Sequence, residues 1–354
     1  MFSSFIQTLH SLAFETACLF IIFTMIVFFW KKIFTYFSLK TYQSKQRLHQ
    51  DEIPRIAGLM MYIFLTIVAL FSIESHYLNV ILISAIPIVL IGTKEDLFHN
   101  TSPKLRLIMM TMSAGLFMYL LPTNLPEIDF PVINQILSIG FMKELFFMFS
   151  ILVIINGNNL IDGVNGNLAF ANIIQLISIG LLAFMVGDDV IVQLSCLLLL
   201  PLIIFTLFNF PFGNIFCGDA GAYFYGFAIS ASVIYLFGSY DDLLSWNAIL
   251  ILIYPSIELL FSFIRKKFFE NKSAFTADAR HLHSLIFKIY SKQFKDLNNS
   301  VVILPLSPFL VAPFFVNFIH DDLLVITLAI FLIFISYIAI YFIAQYIFLH
   351  KKYN

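Results

Sequence analysis

Eleven apolar runs of roughly 20 residues, parted by short polar stretches, leave this chain one class of fold. They fall at 11–30, 57–74, 77–93, 104–122, 141–156, 168–187, 190–209, 220–237, 243–264, 301–319 and 323–349. A bilayer hydrocarbon core of ~30 Å takes about 20 residues of helix. Backbone amides inside it find no water, so such runs fold as helices. The composition agrees: 60% of the 354 residues are hydrophobic and 12% charged, with a mean hydropathy of +0.92, which excludes a soluble globular domain. The expected fold is all-α: a polytopic integral membrane protein of about eleven transmembrane helices, forming a single domain over 1–354. No internal repeat is evident. The first run, "LAFETACLFIIFTMIVFFW", has no basic residue before it and ends in Trp30-Lys31-Lys32, so it reads as a retained helix and not a signal peptide. Cys18, Cys196 and Cys217 form no CxxC pair, so neither a disulfide framework nor a zinc site is implied.

The loop charges orient the helices. Lys and Arg favour cytoplasmic loops. With eleven spans, every Lys and Arg except Lys143 falls on one side: in 31–56, 93–106, 265–300 and the tail. The opposite loops carry Glu74, Glu127, Asp129, Asp188, Asp189, Asp241, Asp242, Asp321 and Asp322. The expected topology has the N-terminus outside and the C-terminus in the cytoplasm. The longest loop, 265–300, has room for a short amphipathic segment.

Five polar clusters follow the odd-numbered spans, all on the basic side. They are "RLHQDEIPRIAGL", "IGTKEDLFHNTSPKLRL", "NGNNLIDGVNGNLAF", "NFPFGNIFCGDAGAY" and "TADARHLHSLIFK". Polar groups at a membrane face are tolerated where they line a wet cavity backed by protein. The clusters hold Glu95, Asp96, Asp162 and Asp219, several Asn amides, and Arg55, Lys94, Lys104 and Arg280. Hard oxygen ligands suit Mg²⁺, with Mn²⁺ as the alternative. Carboxylates beside Lys and Arg are the equipment of phosphoryl transfer, where positioning and charge neutralisation dominate. Gly163, Gly166, Gly218 and Gly221 would let the backbone approach a diphosphate closely.

Each cluster also has a plainer reading. "TSPK" makes a good helix start, with Thr101 or Ser102 as N-cap. Asp219 is a candidate N-cap for the helix it opens. Glu95-Asp96 reads as a solvated acidic pair, and His281 and His283 as ordinary loop histidines. Asn156 and Asn159 share a helix face and suit hydrogen bonds to a neighbouring helix. Glu15 and Glu258 lie inside apolar runs without an assignable role.

In this order, the five motifs resemble those of the polyprenyl-phosphate N-acetylhexosamine-1-phosphate transferases of glycosyltransferase family 4, over about residues 45 to 290. "HQDEIPRIAG", from His49 to Gly58, is similar to the family's His…Pro-x-Pro-Arg-x-Gly-Gly stretch, with Ala57 at the first Gly. "EDLFHNTSPK" matches an acidic-pair motif ending in Lys, with Glu95-Asp96 for the usual Asp-Asp. "NGNNLIDGVNG" resembles Asn-x-x-Asn-x-x-Asp-Gly-x-Asp-Gly, with Asn165 at the second Asp, as in the family's eukaryotic branch. "FCGDAGA" carries Ala222 for the usual Ser. "ADARHLHSL" keeps His281 and His283 and has Ser284 for the next His.

The resemblance implies a residue-level assignment. Asp219, with Asn159 nearby, holds Mg²⁺. Glu95 and Asp96 orient or deprotonate the lipid phosphate. Lys104 offsets diphosphate charge, and Asp162 joins them in the catalytic set. Phe216 stacks on uracil, with Asn165 near it. Arg55, Asn156, Arg280, His281 and His283 complete the substrate-binding set. The implied partners are a UDP-activated amino sugar and undecaprenyl phosphate, with no nucleic acid and with a homodimer as an allowed assembly. The implied site faces the cytoplasm from the inner (plasma) membrane, at the first membrane step of a cell-surface polysaccharide such as O-antigen. The alternatives from other classes are a catalytically inactive family member and a transporter of lipid-linked sugars.

Overall fold

The computed structural model describes residues 13–37, 53–71, 75–270, 280–294 and 298–350. Residues 47–52 of the first polar cluster, His49 among them, and residues 276–279 of the fifth lie outside them. Among the described residues there are helices and no strand, so the protein is an all-α polytopic membrane protein. The helices are α1 (Ala13–Phe37), α2 (Ala57–Phe71), α3 (His76–Phe98), α4 (Pro103–Leu120), α5 (Pro131–Leu137), α6 (Met142–Ile161), α7 (Asn167–Met185), α8 (Asp189–Asn209) and α9 (Gly218–Ser239). There follow α10 (Trp246–Ile251), α11 (Ile253–Ile264), α12 (Leu282–Gln293), α13 (Ile303–Val311), α14 (Val316–Ile319) and α15 (Leu323–His350).

Each of the eleven apolar runs contains helix. Seven helical stretches among the described residues are long and apolar enough to cross a membrane alone: α3, α6, α7, α8, α9, α15 and Asn299–Ile319. Phe, Leu, Ile and Met side chains stand exposed on the outer helices, as lipid-facing surface requires.

α9 is the axis of the bundle. Its membrane-length window is wholly buried, and α2, α3, α6, α7 and α8 pack around it. Between helices in lipid, close packing replaces the hydrophobic drive, and small residues permit it. α9 supplies them. A Cβ on Gly58 of α2 would lie 2.1 Å from the Gly221 Cα, so the two helices meet backbone to backbone. Aromatic rings fill the wider gaps: Phe224 against Tyr62, Phe227 against Phe117, and Tyr235 against Tyr77, all edge-on.

The run 243–264 is not one helix, contrary to expectation. It breaks at Leu252, between α10 and α11. Pro255 has no N–H to give the carbonyl of Ile251, four residues earlier. The buried Gln175 amide of α7 donates to that carbonyl instead, at 3.1 Å. The long loop carries an amphipathic helix, α12. Its Leu282, Leu285, Ile286 and Ile289 are buried while Ser291 and Lys292 are exposed. On the face of the bundle carrying Asp129, Lys143 pairs with Glu127 and Asp129 accepts from the Ser245 amide.

Candidate active site

The acidic pair closes α3, and its two members point different ways, as neighbours on a helix do. The Glu95 carboxylate folds back on the turn after the helix. It accepts from the Thr101 amide at 2.9 Å and from the Thr101 hydroxyl. Ser102, not Thr101, is the N-cap of α4, accepting from the Leu105 amide at 3.2 Å. The Asp96 carboxylate reaches the start of α9. It accepts from the Asp219 amide at 2.8 Å and the Ala220 amide at 3.0 Å. A helix opens with orphan amides and a positive dipole end, and here a carboxylate from another helix satisfies them. Asp219 is therefore not the N-cap of its own helix, and its side chain is left for other work. Gly218 makes this fit possible: its φ is +75°, and a Cβ there would lie 2.5 Å from Asp96 Oδ2.

Asp219 lies within reach of two guanidinium groups and one phenol. Its Oδ1 is 3.4 Å from Arg55 Nη2, and its Oδ2 is 3.5 Å from Arg106 Nη1. Tyr223, one helical turn on, donates to Oδ2 at 2.9 Å, and Arg106 also reaches the Tyr223 hydroxyl at 3.4 Å. Arg55 Nε lies 3.5 Å from Asp96 Oδ1. Backbone pairing fixes Arg55: Phe216 N–H donates to Pro54 O, and the Ala57 and Gly58 amides donate to Phe216 O and Cys217 O. Burial opposes the Arg55 charge, but Asp96, Asp219, Asp162 and Glu95 more than offset this and raise its pKa.

Asp162 closes α6 as its C-cap and is half-buried. Burial pushes its carboxyl up to about 7, with Arg55 opposing and Asp219 adding. Most of the neighbouring Asn amides are spent on the backbone. Asn158 donates to Ala222 O at 2.9 Å, Asn165 to Pro211 O at 3.0 Å, and Asn167 to Ile161 O at 2.8 Å. Asn156 donates to Leu152 O in its own helix and approaches Met110 of α4. Asn159 is half-buried and makes no hydrogen bond to a described residue.

The fifth cluster docks through its histidines. The His283 ring lies against the turn after Asp162: a Cβ on Gly163 would sit 2.1 Å from its Nε2. His281 and His283 stack at 5.6 Å and 4°. Arg280 is half-exposed and pairs with Glu270 at 3.2 Å. The room expected beside the glycines for a diphosphate is taken by protein: Gly163 by His283, Gly166 by Phe210 and Phe170, Gly218 by Asp96, Gly221 by Gly58.

Contacts thus join parts of all five clusters. Arg55, Asp96 and Asp219 touch directly, Asp162 stands in their field, and His283 adjoins the Asp162 turn. Phe216 is half-buried beside them, held by its backbone. Lys104 is exposed and makes no ion pair among the described residues. The basic residue of α4 that reaches Asp219 is Arg106, two positions later. Sequence reasoning passed over Arg106 and Tyr223. The first was hidden among basic loop residues, although its place three after Pro103 sets it on the first turn of α4. The second read as one more aromatic in an apolar run, although its i+4 spacing from Asp219 was visible.

Three carboxylates, Asp96, Asp162 and Asp219, face two guanidinium groups, an excess of anionic oxygen that suits a hard divalent cation. Among the described residues no three His, Cys, Asp or Glu side chains converge as a ready cation site. A cation here would need substrate oxygens to complete its shell, the usual arrangement for Mg²⁺.

Fold and site together define a polytopic membrane protein with a carboxylate–guanidinium centre at the helix ends. Residues 78–237 match the model of glycosyl transferase family 4. A probable undecaprenyl-phosphate N-acetylglucosaminyl 1-phosphate transferase of Bacillus subtilis is 29% identical over 251 residues, 68% of this chain and 67% of that one. The undecaprenyl-phosphate alpha-N-acetylglucosaminyl 1-phosphate transferase of Salmonella typhi is 22% identical, covering 77% of this chain and 76% of its own. The phospho-N-acetylmuramoyl-pentapeptide-transferase of a Streptococcus pyogenes strain is 26% identical, covering 68% and 76%. The chain is thus similar to glycosyl transferase family 4 over residues 78–237 and to these three transferases over 68% to 77% of its length.

Proposed function

We propose that the protein transfers a sugar 1-phosphate, of the N-acetylhexosamine type, from a UDP-sugar to undecaprenyl phosphate and releases UMP. A phosphate oxygen of the lipid bonds to the sugar-linked phosphorus, the bond from that phosphorus to UMP breaks, and a lipid-diphosphate-sugar forms. The relatives' names support the reaction class. The observation that carries the reading is Asp219, placed on the first turn of a buried helix between Arg55, Arg106 and Tyr223, with Asp96 and Asp162 beside it.

In this reading Arg55 and Arg106 supply positive charge where substrate phosphates gather, the main electrostatic need of phosphoryl transfer. Asp96 positions the start of α9 and so the Asp219 carboxylate. Asp162, with its raised pKa, takes or holds a proton near pH 7. His281 and His283 face the sugar-phosphate portion, and Phe216 the base. Asp219, with Asn159 nearby, would hold Mg²⁺, which when bound supplies charge neutralisation on the diphosphate. The one-sided distribution of Lys and Arg supports a site on the cytoplasmic face of the inner (plasma) membrane. The reaction is then the first membrane step of a cell-surface polysaccharide such as O-antigen.

The test is to supply the purified protein with undecaprenyl phosphate, Mg²⁺ and a panel of UDP-sugars. UMP release and butanol-extractable sugar-lipid with at least one donor support the reading. Neither product with any donor would sink it.

A further inference from the structure

Glu258 is the charged residue in the apolar run 243–264 that its sequence leaves without a role. It sits on α11 and is 1% exposed. Its Oε1 lies 2.9 Å from His281 Nδ1. Its Oε2 accepts from the Tyr337 hydroxyl of α15 at 2.6 Å. A buried carboxylate is costly, and an apolar side chain of the same volume would pack the same helices more cheaply. Space filling alone therefore does not account for it.

The geometry accounts for it differently. An ionised carboxylate only accepts, so with Glu258 ionised this contact takes the Nδ1–H form of His281. That form leaves Nε2 as the unprotonated ring nitrogen. The His281 ring in turn stacks at 4° on His283, and His283 Nε2 bears on Gly163, the residue after Asp162. Glu258 thus anchors a line of contacts from the bundle interior to the Asp162 turn.

We propose that Glu258 is a positioning residue of the transfer reaction: it sets the tautomer and orientation of His281 and, through the stacked rings, the seat of His283 against the Asp162 turn. This rests on the transferase reading above. Tyr337 completes the cradle by occupying the second oxygen, so the carboxylate cannot rotate away from His281.

The test uses the full-length protein in nanodiscs, with Glu258→Gln, Glu258→Asp, His281→Ala and the double variant Glu258→Gln/His281→Ala. Glu258→Gln is nearly isosteric and is expected to lower kcat by about tenfold to a hundredfold, the scale seen when an orienting partner is lost. The double variant is expected to be no worse than His281→Ala alone, because both changes remove one unit. Glu258→Asp, which keeps the charge, recovers part of the turnover. A second readout needs no turnover: in ¹⁵N-histidine spectra, with His281 assigned by its Ala variant, the Nδ1–H tautomer of the wild type is lost or mixed in Glu258→Gln. Wild-type kcat in Glu258→Gln, fully multiplicative losses in the double variant, or an unchanged His281 tautomer would each overturn the proposal. Absence of UMP release from the wild type would instead overturn the transferase reading, and the spectra would still report on the Glu258–His281 pair.

Discussion

Asp219 divides its oxygens among Arg55, Arg106 and Tyr223, so the neighbours of one carboxylate carry testable consequences. Arg106→Ala removes a charged partner worth about 1.5–3 kcal/mol, and it is expected to lower turnover more than Lys104→Ala, since Lys104 is exposed and makes no ion pair among the described residues. Steady-state kinetics on the two variants checks the order. Asp162 has a pH signature. Its carboxyl is raised to about 7, so it is protonated below that pH and ionised above it. With the ionised form active, UMP release rises as pH increases through about 7, and Asp162→Asn flattens that limb. A limb that persists in the variant assigns the titration elsewhere. At this scale the sequence was partly readable. Asp162 and Asp219 announced themselves because carboxylates interrupt apolar runs. Arg106 did not, because a basic residue at a membrane face has an ordinary explanation in topology. Glu258 was visible, but its partners His281 and Tyr337 lie 23 and 79 residues away, a distance that no local pattern bridges.

At the level of elements, the start of α9 is where sequence, fold and chemistry meet. Asp96 supplies from α3 the cap that α9 lacks in its own sequence, and Gly218 leaves it room. Gly218→Ala combines a left-handed φ, which costs an ordinary residue roughly 1–2 kcal/mol, with a clash against Asp96. The expected result is a lower thermal midpoint together with lost activity. Gly58→Ala overpacks the α2–α9 contact, and overpacked cores lose typically ~1–3 kcal/mol. A variant as stable as the wild type in a detergent melt would refute the backbone contact. Helix existence was legible in the eleven apolar runs because apolar length dictates it, whereas α5, between two of them, was not. The break at Leu252, ahead of Pro255, was not expected from the apolar length of its run, and its repair by Gln175 required the packed structure.

For the whole molecule, the one-sided distribution of Lys and Arg and the single-sided gathering of the polar clusters describe the same asymmetry. Asn100 lies at the end carrying the acidic pair, and Gln135 near Asp129 on the other face. Cysteines placed at these exposed positions, in a chain freed of its native cysteines, report orientation. In intact spheroplasts an impermeant thiol reagent is expected to label Gln135→Cys and spare Asn100→Cys; the reverse pattern contradicts a cytoplasmic site. The molecule's class was legible because the bilayer allows so few solutions to a chain this apolar. The centre was legible only as five clusters on one face. Which side chains touch was decided by how α2, α3, α4 and α6 close on α9.

The most direct measurement compares wild type with Asp219→Asn in UMP release from UDP-sugars in the presence of undecaprenyl phosphate and Mg²⁺. The account predicts UMP and sugar-lipid with the wild type for one donor of the N-acetylhexosamine type. It predicts loss of both in a variant that keeps its fold, since the amide no longer offers a charge to the centre between Arg55 and Arg106. Equal release by the two proteins would contradict the central place given to Asp219.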